Sequence, residues 1–339
     1  MKQAYSGYAK NEHTLLNASS GGFAFCLSEI FLEQNAIVYG VAYSEDFRSA
    51  GYVRIDDVND LSKIRGTKYV ETSKRIAGVS VYKLVADDLI KEKTVLFFGL
   101  GCDIGAVYNY LKRNGINDEN LYLVDILCHG PVPSEVLRKY IDQLESRFQS
   151  KVTAFEMKKK VTGWTPPYVY ARFEDGREYK VPFSETDLGI TFYRVARPPC
   201  TKCQFKGDDH KGDLCIGDYW GVNAKMDAWN PNGVSAMLVQ TPKGKKLLGM
   251  LDDRFELQSA NWDFVVEHNP MYVQSRSQKA DYEAFMRNLE EHSLHYAVSM
   301  LPKEKKSVKQ AMRRALTKFK HTFWAVVNIS NFTSHSYKS

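Results

Sequence analysis

The sequence predicts an α/β fold: a mostly parallel sheet flanked by helices, then an antiparallel β segment with a cysteine-rich loop, and a C-terminal basic helix. Three patterns carry that expectation. Thr94–Phe98 is a continuous apolar run of strand length, turned by Gly99-Leu100-Gly101-Cys102 into a helical pattern with Ile104, Val107, Tyr108 and Leu111 at three- and four-residue spacing. A second apolar strand, Leu121–Leu127, ends at Cys128-His129-Gly130 and feeds a helix with Val136, Leu137, Tyr140, Ile141 and Leu144 on one face. Strand–helix–strand–helix with short loops implies parallel strands joined by right-handed crossovers. From Val152 the period changes to alternation, so Val152–Met157, Pro167–Phe173 and Glu178–Phe183 read as antiparallel strands, with Glu174-Asp175-Gly176 as a hairpin turn.

The remaining elements follow in order. An apolar helix is expected through Phe23, Leu27, Ile30 and Phe31, with Cys26 on its core face. Ile37–Tyr43 reads as a buried strand, Gly51–Arg54 as a shorter one, Asp57–Lys63 as a brief helix and Ser73–Lys91 as a longer amphipathic helix. Lys158-Lys159-Lys160 and Gly163-Trp164 read as a solvated turn. Ser184–Val195 is expected to be helical, Val234–Gln240 a core strand and Gly244–Met250 a helix. The division this implies is 1–150, 151–290 and a helical tail, 291–339.

Composition sets the class. With 339 residues, 44% hydrophobic and 25% charged, the chain is expected to be an ordinary soluble globular protein. Met1–Asn11 lacks the apolar segment of a secretory signal, and no apolar run is long enough to span a bilayer. Six cysteines without a signal argue for a reducing compartment, so the cytoplasm is the expected location. Of the net charge of +6, Lys303–Lys320 carries +7, because it holds eight basic residues and one acid. The body is therefore near neutral, which removes the main support for nucleic-acid binding. Val308, Met312, Ala315, Leu316, Phe319, Phe323 and Val327 fall on one face of that basic helix. Such a helix suits an acidic partner, a peripheral membrane surface or packing on its own body.

Chemistry concentrates in Arg197–Val222, which holds Cys200, Cys203 and Cys215 among Lys202, Lys206 and Lys211. Two cysteines separated by two residues can grip one metal or one cluster iron. One reading is a local zinc site, and hence a zinc-stabilised interaction module, built from Cys200, Cys203, His210 and Cys215. Another is a 4Fe-4S cluster held by Cys102, Cys128, Cys200 and Cys203. In parallel sheets ligands bind beyond the carboxyl ends of the strands, and Cys102 and Cys128 each sit just past such an end. A third reading takes Gly99-x-Gly101-x-x-x-Gly105 as a loosened dinucleotide fingerprint, with Asp125 as the ribose-binding acid of a nicotinamide-dependent dehydrogenase. Ser19-Ser20-Gly21-Gly22 at a helix start offers backbone N–H groups to an anion. Arg65-Gly66-Thr67-Lys68-Tyr69 offers two cations and an aromatic ring to a phosphate and a planar ring.

The ordered set Ser19-Ser20-Gly21-Gly22, Arg65-Gly66-Thr67-Lys68-Tyr69-Val70, Cys128-His129-Gly130, Arg197-Pro198-x-Cys200-x-x-Cys203-x-Phe205, Gly217-Asp218-Tyr219-Trp220-Gly221 and Gly233-Val234-Ser235 resembles the coenzyme F420 hydrogenase/dehydrogenase beta-subunit family over roughly residues 15–290. The resemblance implies FAD and a 4Fe-4S cluster. It also implies electron exchange with a deazaflavin (coenzyme F420), ferredoxin or another soluble carrier. Flavin phosphates would lie at Ser19–Gly22 with Arg65, Lys68 and Tyr69, and His129 is a candidate acid. The family commonly has Gly-Thr-Pro-Cys-Gln where this chain has Gly99-Leu100-Gly101-Cys102-Asp103. Nothing like the two-cluster ferredoxin segment of many relatives precedes Ser19, so a redox partner protein is expected to deliver electrons. A degenerate member with cofactors partly lost is the remaining alternative.

Overall fold

The structure, a computed structural model, describes residues 2–302. Its strands and helices alternate from the start: β1 (Gln3–Ala9), α1 (Glu12–Asn17), α2 (Phe23–Glu33), β2 (Ile37–Tyr43) and β3 (Ala50–Ile55). A two-stranded ribbon of β4 (Arg75–Ile76) and β5 (Val79–Ser80) leads to α3 (Val81–Ile90), β6 (Val95–Leu100), α4 (Gly101–Arg113), β7 (Leu121–Ile126) and α5 (Ser134–Phe148). After β8 (Val152–Lys159), β9 (Tyr168–Phe173) and β10 (Glu178–Pro182) come α6 (Asp187–Arg194), β11 (Leu214–Asp218) and β12 (Ser235–Val239). The last elements are α7 (Pro242–Gly249), β13 (Phe255–Ala260), α8 (Trp262–His268), α9 (Tyr282–Glu291) and α10 (Leu294–Ser299).

One eight-stranded sheet runs in the order β13-β1-β12-β11-β7-β6-β2-β3. Its centre, β2-β6-β7-β11, is parallel, as the βαβα reading requires, and antiparallel strands extend it at both ends. β8, β9 and β10 form a separate antiparallel sheet, as their alternation predicts.

Strand alternation builds the layers. Leu96, Phe98 and Val124 point to one face, where they meet Phe23, Leu27 and Phe31 of α2 and Leu247 and Leu248 of α7. Val95, Phe97, Leu121 and Leu123 point to the other, against Val81, Val85 and Leu89 of α3 and Ile104, Val107 and Leu111 of α4. Because both faces are covered, the central strands read as unbroken apolar runs. Cys26 is buried in the first of these cores, as expected.

Two expectations need correction. Ser73–Lys91 is not one helix: Gly78, at φ +80°, lets the chain reverse between β4 and β5, and the helix starts only at Val81. Lys158–Lys160 is not a solvated turn. Lys158 and Lys159 end β8, and Lys158 is buried in an ion pair with Asp218 at 2.5 Å. The proposed basic helix of 303–320 lies outside the described residues.

A buried polar cluster ties α3 to the sheet edge. Asp88 accepts from the Tyr39 hydroxyl at 2.6 Å and from Arg54 Nε at 2.9 Å. Asp88→Ala leaves both donors without their acceptor and should cost about 3 kcal/mol, the range for breaking a buried charged pair. A lower urea midpoint at unchanged slope would bear this out; a midpoint equal to wild type would refute it.

Candidate functional site

The site is built along one edge of the sheet, where β2, β6, β7 and β11 all reach their carboxyl ends. β6 and β7 are direct neighbours, with Leu100 opposite Ile126. Cys102 therefore enters α4 two residues beyond one strand, and Cys128 lies two residues beyond the next. The third contribution is the turn around Pro198–Lys202, which carries Cys200 and leads into Cys203.

Glycine spacing explains how that turn is seated. A Cβ at Gly101 would lie 2.8 Å from Phe205 Cβ, and one at Gly105 would lie 2.2 Å from Phe205 Cε1. The two glycines are one helical turn apart, on the same face of α4. They clear a slot for the ring of Phe205, two residues beyond Cys203. The glycines of the supposed dinucleotide fingerprint thus receive a side chain of the protein itself. Asp125 is fully buried; its Oδ2 lies 3.2 Å from His210 Nδ1 and accepts from Gly212 N at 3.2 Å. Neither group is available to a pyrophosphate or a ribose, and the nicotinamide reading fails on both.

The local zinc set fails for a related reason. Cys215 is a fully buried residue of β11, packed with Ala236, Leu238 and Val265. His210 pairs with Asp125 and stacks on Tyr272 at 4.9 Å. Among the described residues no three Cys, His, Asp or Glu side chains lie together as ligands of a single metal ion.

Electrostatic interaction joins Cys102 to Cys128 and Cys203, and joins Cys128 to Cys200, Cys203 and Cys215. Burial pushes the Cys128 thiol up to about 11, and Cys200 and Cys203 add to that rise. Desolvation and Asp103 raise Cys102 to about 12, with further contributions from Cys128 and Cys203. Burial also raises Cys200, and Cys203 contributes. Burial thus disfavours a bare thiolate at Cys102, Cys128 and Cys200. Gly130 N donates to Cys128 Sγ at 3.2 Å, and Gly130 (φ +96°) has Cys200 Cβ 3.4 Å from where its own Cβ would stand. All six cysteines of the chain are free thiols.

Beside Cys128 lies an aromatic cluster. Tyr69 and Phe192 have ring centroids 4.5 Å apart, and His129 and Phe192 are separated by 4.9 Å. Val70 bridges to Val132, which fixes the Arg65–Tyr69 loop against the turn after Cys128. Burial, followed by Arg276, Lys279 and Lys206, lowers His129 to about 4, so its imidazole is neutral at pH 7. Its Nδ1 is buried without a hydrogen-bond partner, as are Ser19 Oγ, Trp164 Nε1 and Asp218 Oδ1.

Ser19–Gly22 is anchored on β1 and on the start of β12. Ser20 Oγ donates to Val234 O at 2.9 Å, and Gly21 N donates to Ser235 Oγ at 3.0 Å. The Gly21 amide is thus taken up inside the protein. The start of α2 beyond it has no side-chain cap and no acid in its first turn, which keeps it suited to an anion. Arg65 lies over the Phe25 ring of that turn at 4.7 Å, and Lys68 over Tyr43 at 5.5 Å. Lys160 donates to Ser20 O at 2.7 Å, and Trp220, stacked on Trp164 at 5.2 Å, has Lys158 over its ring. Sequence reasoning missed Lys158, Lys160 and Trp164. Their only signal was the Gly-Asp-Tyr-Trp-Gly segment, whose Asp218 and Trp220 are their partners.

Burial draws Lys68 and Lys160 down to about 7. The unfolded chain holds these protons up to about 10.5 and the folded chain only below about 7. Stability from this source therefore rises with pH between those values. Lys68→Met should remove roughly half of the rise, read as urea midpoints between about pH 7.5 and 9.5. An unchanged slope would count against it. Separately, Gly105→Ala should destabilise by about 2 kcal/mol through the Phe205 ring, and become neutral or stabilising in a Phe205→Ala background. Simple additivity of the two would mean that the ring does not occupy the slot.

Comparison with known proteins places this arrangement. The family model for the C terminus of the coenzyme F420 hydrogenase/dehydrogenase beta subunit matches residues 92–262, a span holding all four cysteines of the edge. A chain of the F420-reducing [NiFe] hydrogenase complex from Methanosarcina barkeri, from a xenon-derivatization structure, shares the fold. Its TM-score is 0.54 at 17% sequence identity, over 80% of this chain and 88% of that one. The chain belongs to the coenzyme F420 hydrogenase/dehydrogenase beta-subunit family of oxidoreductases.

Proposed function

We propose that this chain is a flavin- and 4Fe-4S-dependent oxidoreductase subunit, acting in the cytoplasm. It would pass electrons between a soluble carrier, such as coenzyme F420 or a ferredoxin, and a substrate or partner protein. The observation that supports the reading is the electrostatic coupling of thiols from three chain segments, next to the aromatic cluster of Tyr69, His129 and Phe192. Cys102, Cys128, Cys200 and Cys203 would hold the cluster. The start of α2 after Ser19–Gly22, with Arg65 and Lys68, would hold the phosphates of FAD, and Tyr69 would flank its ring system. When bound, the flavin supplies exchange between hydride and single-electron chemistry, and the cluster supplies single-electron transfer.

The chain's own residues prepare the site. Phe205 in its slot holds the Cys200–Cys203 turn against the strand edge. Trp220 stacks on Trp164, and Trp164 itself is buried. His129, neutral at pH 7, offers one donor and one acceptor at the junction of the two cofactor sites rather than a proton to give away. On this reading residues 1–150 supply the flavin-binding part, and 151–290 supply the cysteine-rich loop and antiparallel strands. The tail, 291–339, would serve an acidic partner or a membrane surface. Among the described residues no helix is long and apolar enough to cross a membrane.

Anaerobic purification with iron, sulfide and flavin measured per chain tests the assignment. About four iron, four sulfide and one flavin are expected. Colourless protein containing zinc alone would overturn it. Cys102→Ser should abolish the broad visible absorption of the cluster and leave flavin binding in place; unchanged iron content would remove Cys102 from the ligand set.

A further inference from the structure

We propose that Lys206 and Arg276 are the built-in counter-charges of the cluster site and hold its reduction potential up. The inference rests on the 4Fe-4S reading above and adds a role for two side chains that no ligand pattern includes.

Both cations converge on the cysteines. Lys206 Nζ donates to Cys128 O at 3.0 Å and to Met271 O at 2.5 Å. Arg276 donates to Gly130 O at 3.2 Å and to Phe192 O, and its backbone N donates to Cys200 O at 3.3 Å. Its guanidinium stands over the Phe192 ring, and the residue is only 5% exposed. The Gly130 position makes room for it, because a Cβ there would lie 3.3 Å from Arg276 Cδ.

What sets these two apart is the missing counter-ion. Neither forms an ion pair with a carboxylate among the described residues. Three carboxylates around the cysteine edge face other groups. Asp103 is paired with Lys74 at 2.7 Å and accepts from Tyr52, Asp125 faces His210, and Glu71 is paired with Arg197. Arg276 is buried and Lys206 half-buried; a buried cation without an anion is strongly disfavoured, and carbonyl oxygens compensate only part of the lost hydration. A cluster on four thiolates is an anion, and reduction adds one more negative charge. Placed here it would complete the charge balance, and the fixed cations would favour its reduced state. A purely structural role, tying carbonyls together, needs donors but not charge.

The test uses the anaerobically purified full-length protein and a redox titration of the cluster followed by electron paramagnetic resonance. Lys206→Met and Arg276→Gln should each retain iron and shift the reduced-to-oxidised ratio at fixed potential at least tenfold toward oxidised, about 59 mV for one electron. Lys206→Arg, which keeps the charge, should titrate like wild type. If Arg276→Gln does not load iron, Lys206→Met and Lys206→Glu decide, with the larger shift expected for Lys206→Glu. Iron-loaded Lys206 variants that titrate like wild type would overturn the inference while leaving the cluster reading intact. Wild-type protein without iron would overturn the cluster reading itself.

Discussion

Phe205 in the Gly101/Gly105 slot is the contact on which the cysteine edge depends. Cys102 and Cys128 are placed by the sheet, because β6 and β7 are hydrogen-bonded neighbours and each cysteine follows a strand end. Cys200 and Cys203 come from a loop of short helical turns with few backbone bonds of its own. That loop gains its position from a ring pressed on helix backbone, from Ser275 Oγ bonded to Cys203 N at 3.0 Å, and from the Lys206 and Arg276 bonds to carbonyls. Glycine at 101 and 105 costs α4 some helical propensity, about 1 kcal/mol at each position. The gain is a docking surface on which the ring of Phe205, two residues beyond Cys203, can approach the helix backbone closely.

The second organising constraint is electrostatic. Around the sulfurs the structure assembles backbone N–H and cationic groups, while the neighbouring carboxylates face cations or a histidine of their own. Lys68 and Lys160, by contrast, are held near neutrality by burial. The two halves of the site thus differ electrostatically: one carries N–H and cationic groups, the other lysines that burial discharges. His129 and Phe192 lie where these halves meet.

Much of this was legible in the chain. The parallel centre could be read because strands buried on both faces are unbroken apolar runs, and Cys102 and Cys128 could be placed because such strands end in ligand-facing turns. β11 and β13 were harder. Leu214–Asp218 is short and sits in a glycine- and charge-bearing stretch, so its burial comes from β7 and β12 rather than from its own pattern. Lys158 and Lys160 looked solvated because their partners, Asp218 and Ser20 O, are 60 and 140 residues away in the chain. Arg276 carries no local signal at all; only the folded position of Gly130 and Cys200 gives it meaning. Periodicity reports which face a residue takes, but not which distant residue it meets.

β1 has a consequence for how the molecule is made. It pairs on one side with β12 and on the other with β13, so Tyr5 lies opposite both Met237 and Ser259. During synthesis β1 therefore waits, with both edges open, until Ser235–Val239 has been made. During that interval the parallel centre can form without it, and the antiparallel wing closes last. A nascent chain halted before Ser235 would expose a bare Gln3–Ala9 segment, a natural target for holding chaperones.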